Sequence, residues 1–373
     1  MNNKTELYKD AKLFNIILNE LGRIVGTECN FICVSSPGSS PSKVYMFKDN
    51  QNHIYAVKLC NRNLSRVSLL KEAKNYEILV PYMKDHLPKI IYTGIIDNFE
   101  IMISESKGVD SLYSSIILNK NTTEYYLDIW SKVLVSIVNM WKETKEYNYD
   151  SEKNPRNNKE RIKRIKDGVY KTLLSFLRDD DCIYYPIVVN GIEYISLNET
   201  FKIIRKVGPP KFGVTCHGDP QPSNIVVTDD KNWYLVDWEW SGKNHDFRIM
   251  FSHFFGWWAT RMIRLKKSSG ISIKSKKIVI NYEISNYNEI DLFQQMAYKL
   301  VNKVLKISKN DSSDINRFLA LLYLGDIRFL KIWEKCDYLP LLIGEAIKTA
   351  NYVENKNIKN VDRMFTFMGD KNE

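Results

Sequence analysis

His217-Gly218-Asp219-Pro220-Gln221-Pro222-Ser223-Asn224 is followed, thirteen residues after Asn224, by Asp237-Trp238-Glu239. A carboxylate, Asp219, stands at the end of a turn, and an amide, Asn224, lies five residues on. A second carboxylate, Asp237, ends an apolar run. Groups of these types in this order can orient a hydroxyl nucleophile and hold a divalent cation against a nucleoside triphosphate. Between them, Ile225-Val226-Val227 reads as a strand, Thr228 to Asn232 as a turn, and Trp233 to Asp237 as a second strand. That hairpin would bring Asn224 and Asp237 to one place. Asp219 is the candidate general base, and Asn224 and Asp237 are the candidate metal ligands.

Length and composition frame the rest. The chain has 373 residues with 44% hydrophobic and 12% aromatic content, enough for two domains or one large two-lobed one. Its six cysteines form no CxxC pair and read as reduced thiols of a cytoplasmic protein. The polar N-terminus does not read as a signal peptide, and no apolar run spans a bilayer. The formal charge of +10 is spread along the chain without aromatic–basic interleaving, so no nucleic-acid partner is expected. The densest basic cluster, Lys159 to Lys166, fits one solvated helix face with Ile162 and Ile165 turned inward.

Upstream of the opening motif, an amphipathic helix carries Leu13, Ile16, Ile17 and Leu21. Strands are predicted over Asn30 to Val34, Lys43 to Phe47 and Ile54 to Leu59, then a helix from about Ser65 to Tyr82. Two more strands, Ile90 to Gly94 and Glu100 to Ser104, complete an antiparallel sheet with a packed helix. Lys58 ends an apolar run in the third strand, and Glu72 on the following helix can anchor its ammonium. Gly38 and Ser39 lie in a serine-flanked loop whose backbone N–H groups could cover phosphates. From Ser111 onward the pattern turns helical, with helices expected over Asp128 to Trp141 and Lys159 to Leu177. A short strand pair is expected at Tyr184 to Val189 and Ile192 to Ile195. The Lys266 to Asn288 stretch reads as an insertion or mobile loop. On the helix containing Trp257, Trp258 and Arg261, one tryptophan is expected in the core, and the other, with Arg261, could line a substrate pocket.

Taken together, Ala56-Val57-Lys58, Lys71-Glu72-Ala73, Glu105 to Leu112, His217 to Asn224 and Asp237-Trp238-Glu239 resemble the aminoglycoside phosphotransferase and choline kinase superfamily. The resemblance implies an α+β, protein-kinase-like two-lobed fold. Its N-lobe, residues 1–104, would be an antiparallel sheet with helices. A hinge over 105–112, including Glu105 and Lys107, would pair with adenine, and a mainly helical C-lobe would fill 113–373. It implies ATP or GTP with Mg2+, and transfer of the γ-phosphate to a hydroxyl of a small molecule. Antibiotics or aminoglycosides, amino alcohols and sugar-like compounds stay open as acceptors. Glu239, Trp257, Arg261 and Asp326 are the candidate acceptor-side residues, and Asp246 could add negative charge.

The motif is nearest to the choline and ethanolamine kinase branch. That branch has an acid where this chain has Gly256, and closely spaced tryptophans where this chain has Trp333 alone. Choline is therefore not the expected acceptor. The alternative reading is a protein kinase or a pseudokinase serving as a binding module. The intact Lys58, Asp219, Asn224 and Asp237 argue against a dead enzyme, and the lack of a recognisable activation segment argues against a regulated protein kinase.

Overall fold

Strand alternation sorts the N-terminal sheet into two faces. Tyr45, Phe47, Tyr55, Val57, Leu59, Ile101 and Ile103 share one face and are buried together with Ile17 and Leu21. Burying each such side chain contributes roughly 1.5–3 kcal/mol. The even-numbered neighbours Met46, Lys58 and Met102 fall on the opposite face, because successive side chains alternate across a pleat. Lys58 is thereby turned away from that hydrophobic cluster.

The computed structural model describes residues 11–34, 42–63, 68–118, 120–150, 158–331 and 335–354. In chain order these form α1 (Ala11–Val25), β1 (Cys29–Val34), β2 (Lys43–Asp49), β3 (Ile54–Asn61), α2 (Leu69–Met83), β4 (Ile90–Ile96) and β5 (Phe99–Ser106). Then come α3 (Leu112–Ile117), α4 (Thr123–Glu143), α5 (Asn158–Leu177), β6 (Ile187–Val189), β7 (Ile192–Tyr194), α6 (Leu197–Ile204) and β8 (Gly213–Cys216). The hairpin is β9 (Ile225–Val227) and β10 (Trp233–Leu235). The remainder is β11 (Gly242–Asp246), α7 (Phe247–Arg261), β12 (Leu265–Lys274), β13 (Lys277–Ile284), α8 (Tyr287–Leu305), α9 (Lys309–Asp326) and α10 (Leu339–Glu354). The architecture is α+β: an N-terminal antiparallel sheet, then a mostly helical region.

The chain divides into two compact units, Met1–Ile129 with His217–Gly242, and Trp130–Cys216 with Lys243–Glu373. In the first, the sheet runs β1-β2-β3-β5-β4 with every pairing antiparallel. Ser68 caps α2, its hydroxyl accepting from the Lys71 N–H. Glu100 on β5 accepts from the Ser68 hydroxyl and from the N–H groups of Leu69 and Leu70, fastening the helix N-terminus to the sheet. The β9–β10 hairpin belongs to this unit. His86 stacks on Trp233 at 3.8 Å, and Val227 N–H donates to Asp110 O at 3.1 Å.

The second unit holds a four-stranded sheet, β12-β13-β6-β7, with β13 parallel to β6. Its helices bury Trp130, Trp141, Trp258 and Phe254. Arg248, fully enclosed, is paired with Asp246 at 2.8 Å and also with Asp314. Asp246 caps α7 and is wholly buried, so its charge is committed to Arg248 and is not available to a ligand.

Several boundaries differ from expectation. The stretch from 266 to 288 is no mobile loop: it is the β12–β13 hairpin followed by the start of α8. Ile278 and Ile280 are fully buried on its inner face. Its two-residue turn, Ser275-Lys276, has φ of 49° and 56°, the geometry in which both central residues are left-handed. Asn-Gly usually fills such a turn, so the sequence hid it. α2 begins at Leu69 because Ser68 caps it, and residues 64–67 lie outside the described residues. Cys182–Tyr184 is a short 3-10 turn, and the strand after it starts at Ile187.

Candidate functional site

The hairpin register sets the site. Leu235 pairs with Ile225, and the next residues meet as Val236 N–H donates to Asn224 O at 3.0 Å. Asp237, one residue beyond, therefore emerges beside Asn224. It was expected as the last residue of a strand. β10 in fact ends at Leu235, and Asp237 has φ of 68°. Left-handed backbone is uncommon for a residue with a Cβ, although aspartate tolerates it better than most, and it turns the carboxylate out of the strand direction.

Three charged groups converge there. Lys58 Nζ lies 2.8 and 3.0 Å from the carboxylate oxygens of Glu72 and 2.6 Å from Asp237 Oδ1. The Glu72 side chain is fully buried, whereas that of Asp237 is 30% exposed. Burial alone would lower the Lys58 pKa, but Asp237 and Glu72 together hold it above the ordinary lysine value, so the ammonium stays charged. Glu72 also accepts the Trp238 N–H at 3.1 Å and so binds the residue after Asp237. With Asp237 Oδ1 on Lys58, Oδ2 is the oxygen left for a further cation.

The turn before the hairpin is held by its own groups. His217 is buried, and burial lowers its pKa despite the nearby Asp219 and Asp237. The neutral ring is assigned from its bonds. Nε2–H donates to Val236 O at 2.9 Å, and Nδ1 accepts from the Asp219 N–H at 3.4 Å. Gly218 has φ of +85°, and a Cβ there would lie 2.1 Å from Trp240 O, so both conformation and space demand glycine. Ser241 Oγ donates to His217 O at 2.9 Å. Asp219 is half-buried, with Oδ2 accepting from Gln221 Nε2 at 3.1 Å. Asn224 Nδ2 donates to Asp219 O at 2.9 Å. That bond commits the amide nitrogen and leaves the carbonyl oxygen as the atom open to a cation.

Lys58, Glu72, Asp219, Asn224 and Asp237 thus belong to one compact unit, although they come from four separate stretches of chain. Among the described residues, no group of three or more His, Cys, Asp or Glu stands ready to hold a metal alone. A two-oxygen set suits magnesium, which keeps waters and substrate phosphates in its shell.

A candidate fructosamine-3-kinase from Thermobifida fusca matches with a TM-score of 0.50 at 12% identity, over 90% of this chain and 98% of its own. The fold is protein-kinase-like. An amicoumacin kinase in complex with AMP-PNP, Ca2+ and Ami matches at TM-score 0.49 and 13% identity, over 87% and 88% of the two chains. An ethanolamine kinase from Plasmodium vivax matches at 0.46 and 13%, over 86% and 82%. The matched structures are members of the aminoglycoside phosphotransferase and choline/ethanolamine kinase superfamily. At such identity they show the fold alone. No family model and no curated sequence matches the chain.

The other expected residues fall variously. Gly38, Ser39 and Trp333 lie outside the described residues. Exposed Lys107 and half-buried Glu105 form a 3.8 Å ion pair, and Glu105 N–H donates to Lys89 O at 2.9 Å. Glu239 is in the first unit. Burial, then the Asp237 charge, pushes its carboxyl up to about 7. Trp257, Arg261 and Asp326 belong to the second unit. Trp257 and Asp326 are buried, and Arg261 lies 5.4 Å from the Trp257 ring centroid. Trp258 is core, stacked on Phe293 at 3.9 Å. The sequence reading missed Asn75, which follows Glu72 by three residues on the same face of α2 and donates to Trp238 O and Glu239 O. That spacing was the available signal.

Proposed function

We propose that this chain is a phosphotransferase that moves the γ-phosphate of ATP or GTP, with magnesium, to a hydroxyl of a small molecule. The observation that carries the reading is the Lys58–Glu72–Asp237 cluster standing in one unit with Asp219 and Asn224. Lys58 would set its ammonium against phosphate oxygens, with Glu72 holding it in place. Asn224 and Asp237 would hold magnesium through Asn224 Oδ1 and Asp237 Oδ2. Bound there, magnesium would draw charge from the transferring phosphate oxygens. Asp219 would orient the acceptor hydroxyl and take its proton as the new O–P bond forms and the bond to the β-phosphate oxygen breaks.

The hinge over 105–112 is proposed for the adenine end of the nucleotide, and Gly38 and Ser39 for its phosphate end. Glu239 is proposed toward an acceptor that is an antibiotic or aminoglycoside, an amino alcohol or a sugar-like compound. Kinship in fold with small-molecule kinases supports this class over a protein substrate. Among the described residues no helix is long and apolar enough to cross a membrane.

Calorimetry with AMP-PNP and magnesium tests the nucleotide part. The wild-type protein should bind the pair, and Asp237→Ala should lose the magnesium-dependent share of the affinity. Equal magnesium–nucleotide affinity in Asp237→Ala would remove Asp237 from the metal site.

A further inference from the structure

The backbone around Asp237 is fixed on both sides. Before it, Val236 donates to Asn224 O and accepts from His217 Nε2. After it, Trp238 N–H donates to Glu72 Oε1 at 3.1 Å. The two carbonyls that follow, of Trp238 and Glu239, both accept from one amide, Asn75 Nδ2, at 3.2 and 3.0 Å. The Tyr76 ring meets the Trp238 indole edge-on at 4.9 Å.

We infer that Asn75 is a positioning residue for Asp237, holding the left-handed turn that aims its carboxylate. This rests on the phosphotransferase reading above, in which Asp237 is a metal ligand. The chemistry at position 75 is specific. An amide NH2 has two hydrogens and can serve two converging carbonyls, which an aspartate could not. The helix itself does not need it. Asn75 is half-buried on α2, and alanine there has the better helix propensity, so its loss leaves α2 intact. Glu72 and Asn75 lie one turn apart on one face, so the helix grips the segment after Asp237 at an N–H and at two carbonyls. A positive-φ aspartate persists only where its surroundings over-determine it, and removing the amide loosens that constraint. Groups that orient a metal ligand typically cost about 10–100-fold in metal affinity when removed.

The test uses Mn2+ with AMP-PNP on the whole chain, read by Mn2+ electron paramagnetic resonance and by calorimetry. AMP-PNP without metal and ligand-free thermal unfolding serve as controls. Asn75→Ala should weaken Mn2+–AMP-PNP by about 10–100-fold with metal-free AMP-PNP affinity close to wild type, and ligand-free unfolding should fall only modestly, as two carbonyls lose their shared donor. Asn75→Gln, which keeps the two donors, should recover part of the loss. In an Asp237→Ala background, Asn75→Ala should cost nothing further, as coupled sites require. Undiminished Mn2+ affinity in Asn75→Ala, or the same loss in both backgrounds, overturns the inference while the phosphotransferase reading stands. A wild-type protein that binds no Mn2+–AMP-PNP overturns both.

Discussion

Replacing Lys58 by methionine removes the ammonium and keeps most of the side chain's volume. The structure says where the cost falls. Asp237 is partly exposed and can take up water, but the Glu72 carboxylate is fully enclosed and loses its counter-charge at 2.8 and 3.0 Å. Its remaining partner is the Trp238 N–H. Stranding a buried charge in this way costs about 3–5 kcal/mol. Glu72→Gln is the contrasting change. It leaves Lys58 paired with Asp237 and keeps an oxygen for Trp238, so the loss is the charge assistance of the bonds, about 1–2 kcal/mol. Thermal or urea unfolding at pH 8 should show Lys58→Met much the weaker of the two. At pH 5 the stranded Glu72 can be protonated, so the gap between Lys58→Met and wild type should narrow. A Lys58→Met protein within about 1 kcal/mol of wild type at pH 8, or with the same gap at both pH values, would refute the reasoning.

Other outcomes follow from the turn. Gly218→Ala should destabilise by at least about 2 kcal/mol, since the left-handed backbone resists a Cβ and Trp240 O occupies its place. Near-wild-type unfolding would contradict that. His217 has a folded pKa below the unfolded value of 6.5, so its contribution is full above that pH. It is lost as pH falls and the unfolded chain takes up the proton, at up to about 1.4 kcal/mol per pH unit. His217→Gln keeps a donor for Val236 O and should lose less stability between pH 7.5 and 5.5 than wild type. An equal loss would place the pH dependence elsewhere.

The grouping of the candidate residues was more legible in the sequence than the topology. Asp219, Asn224 and Asp237 were legible because their spacing matches a hairpin, and the β9–β10 register delivers it. The sheet was legible from alternation, and Lys58 from its place within an apolar strand. What was not legible depends on contacts distant in sequence. The left-handed φ of Asp237 follows from bonds to α2 some 160 residues earlier, seen in the Asn75–Trp238 separation of 163. The β12–β13 hairpin went unread because its turn is Ser-Lys, and a lysine-rich edge masks the buried isoleucines opposite. Asp246 looked like a free acid until Arg248 was seen against it.

The central claim is tested most directly by turnover in Asp219→Ala. Nucleotide consumption would be followed across amino alcohols, aminoglycosides, other antibiotics, nucleosides and sugars, with magnesium–AMP-PNP affinity measured in parallel. With an acceptor that supports wild-type turnover, Asp219→Ala should lose about 10²–10⁴-fold in kcat while magnesium–nucleotide affinity stays at the wild-type value. Turnover undiminished in Asp219→Ala would contradict the account.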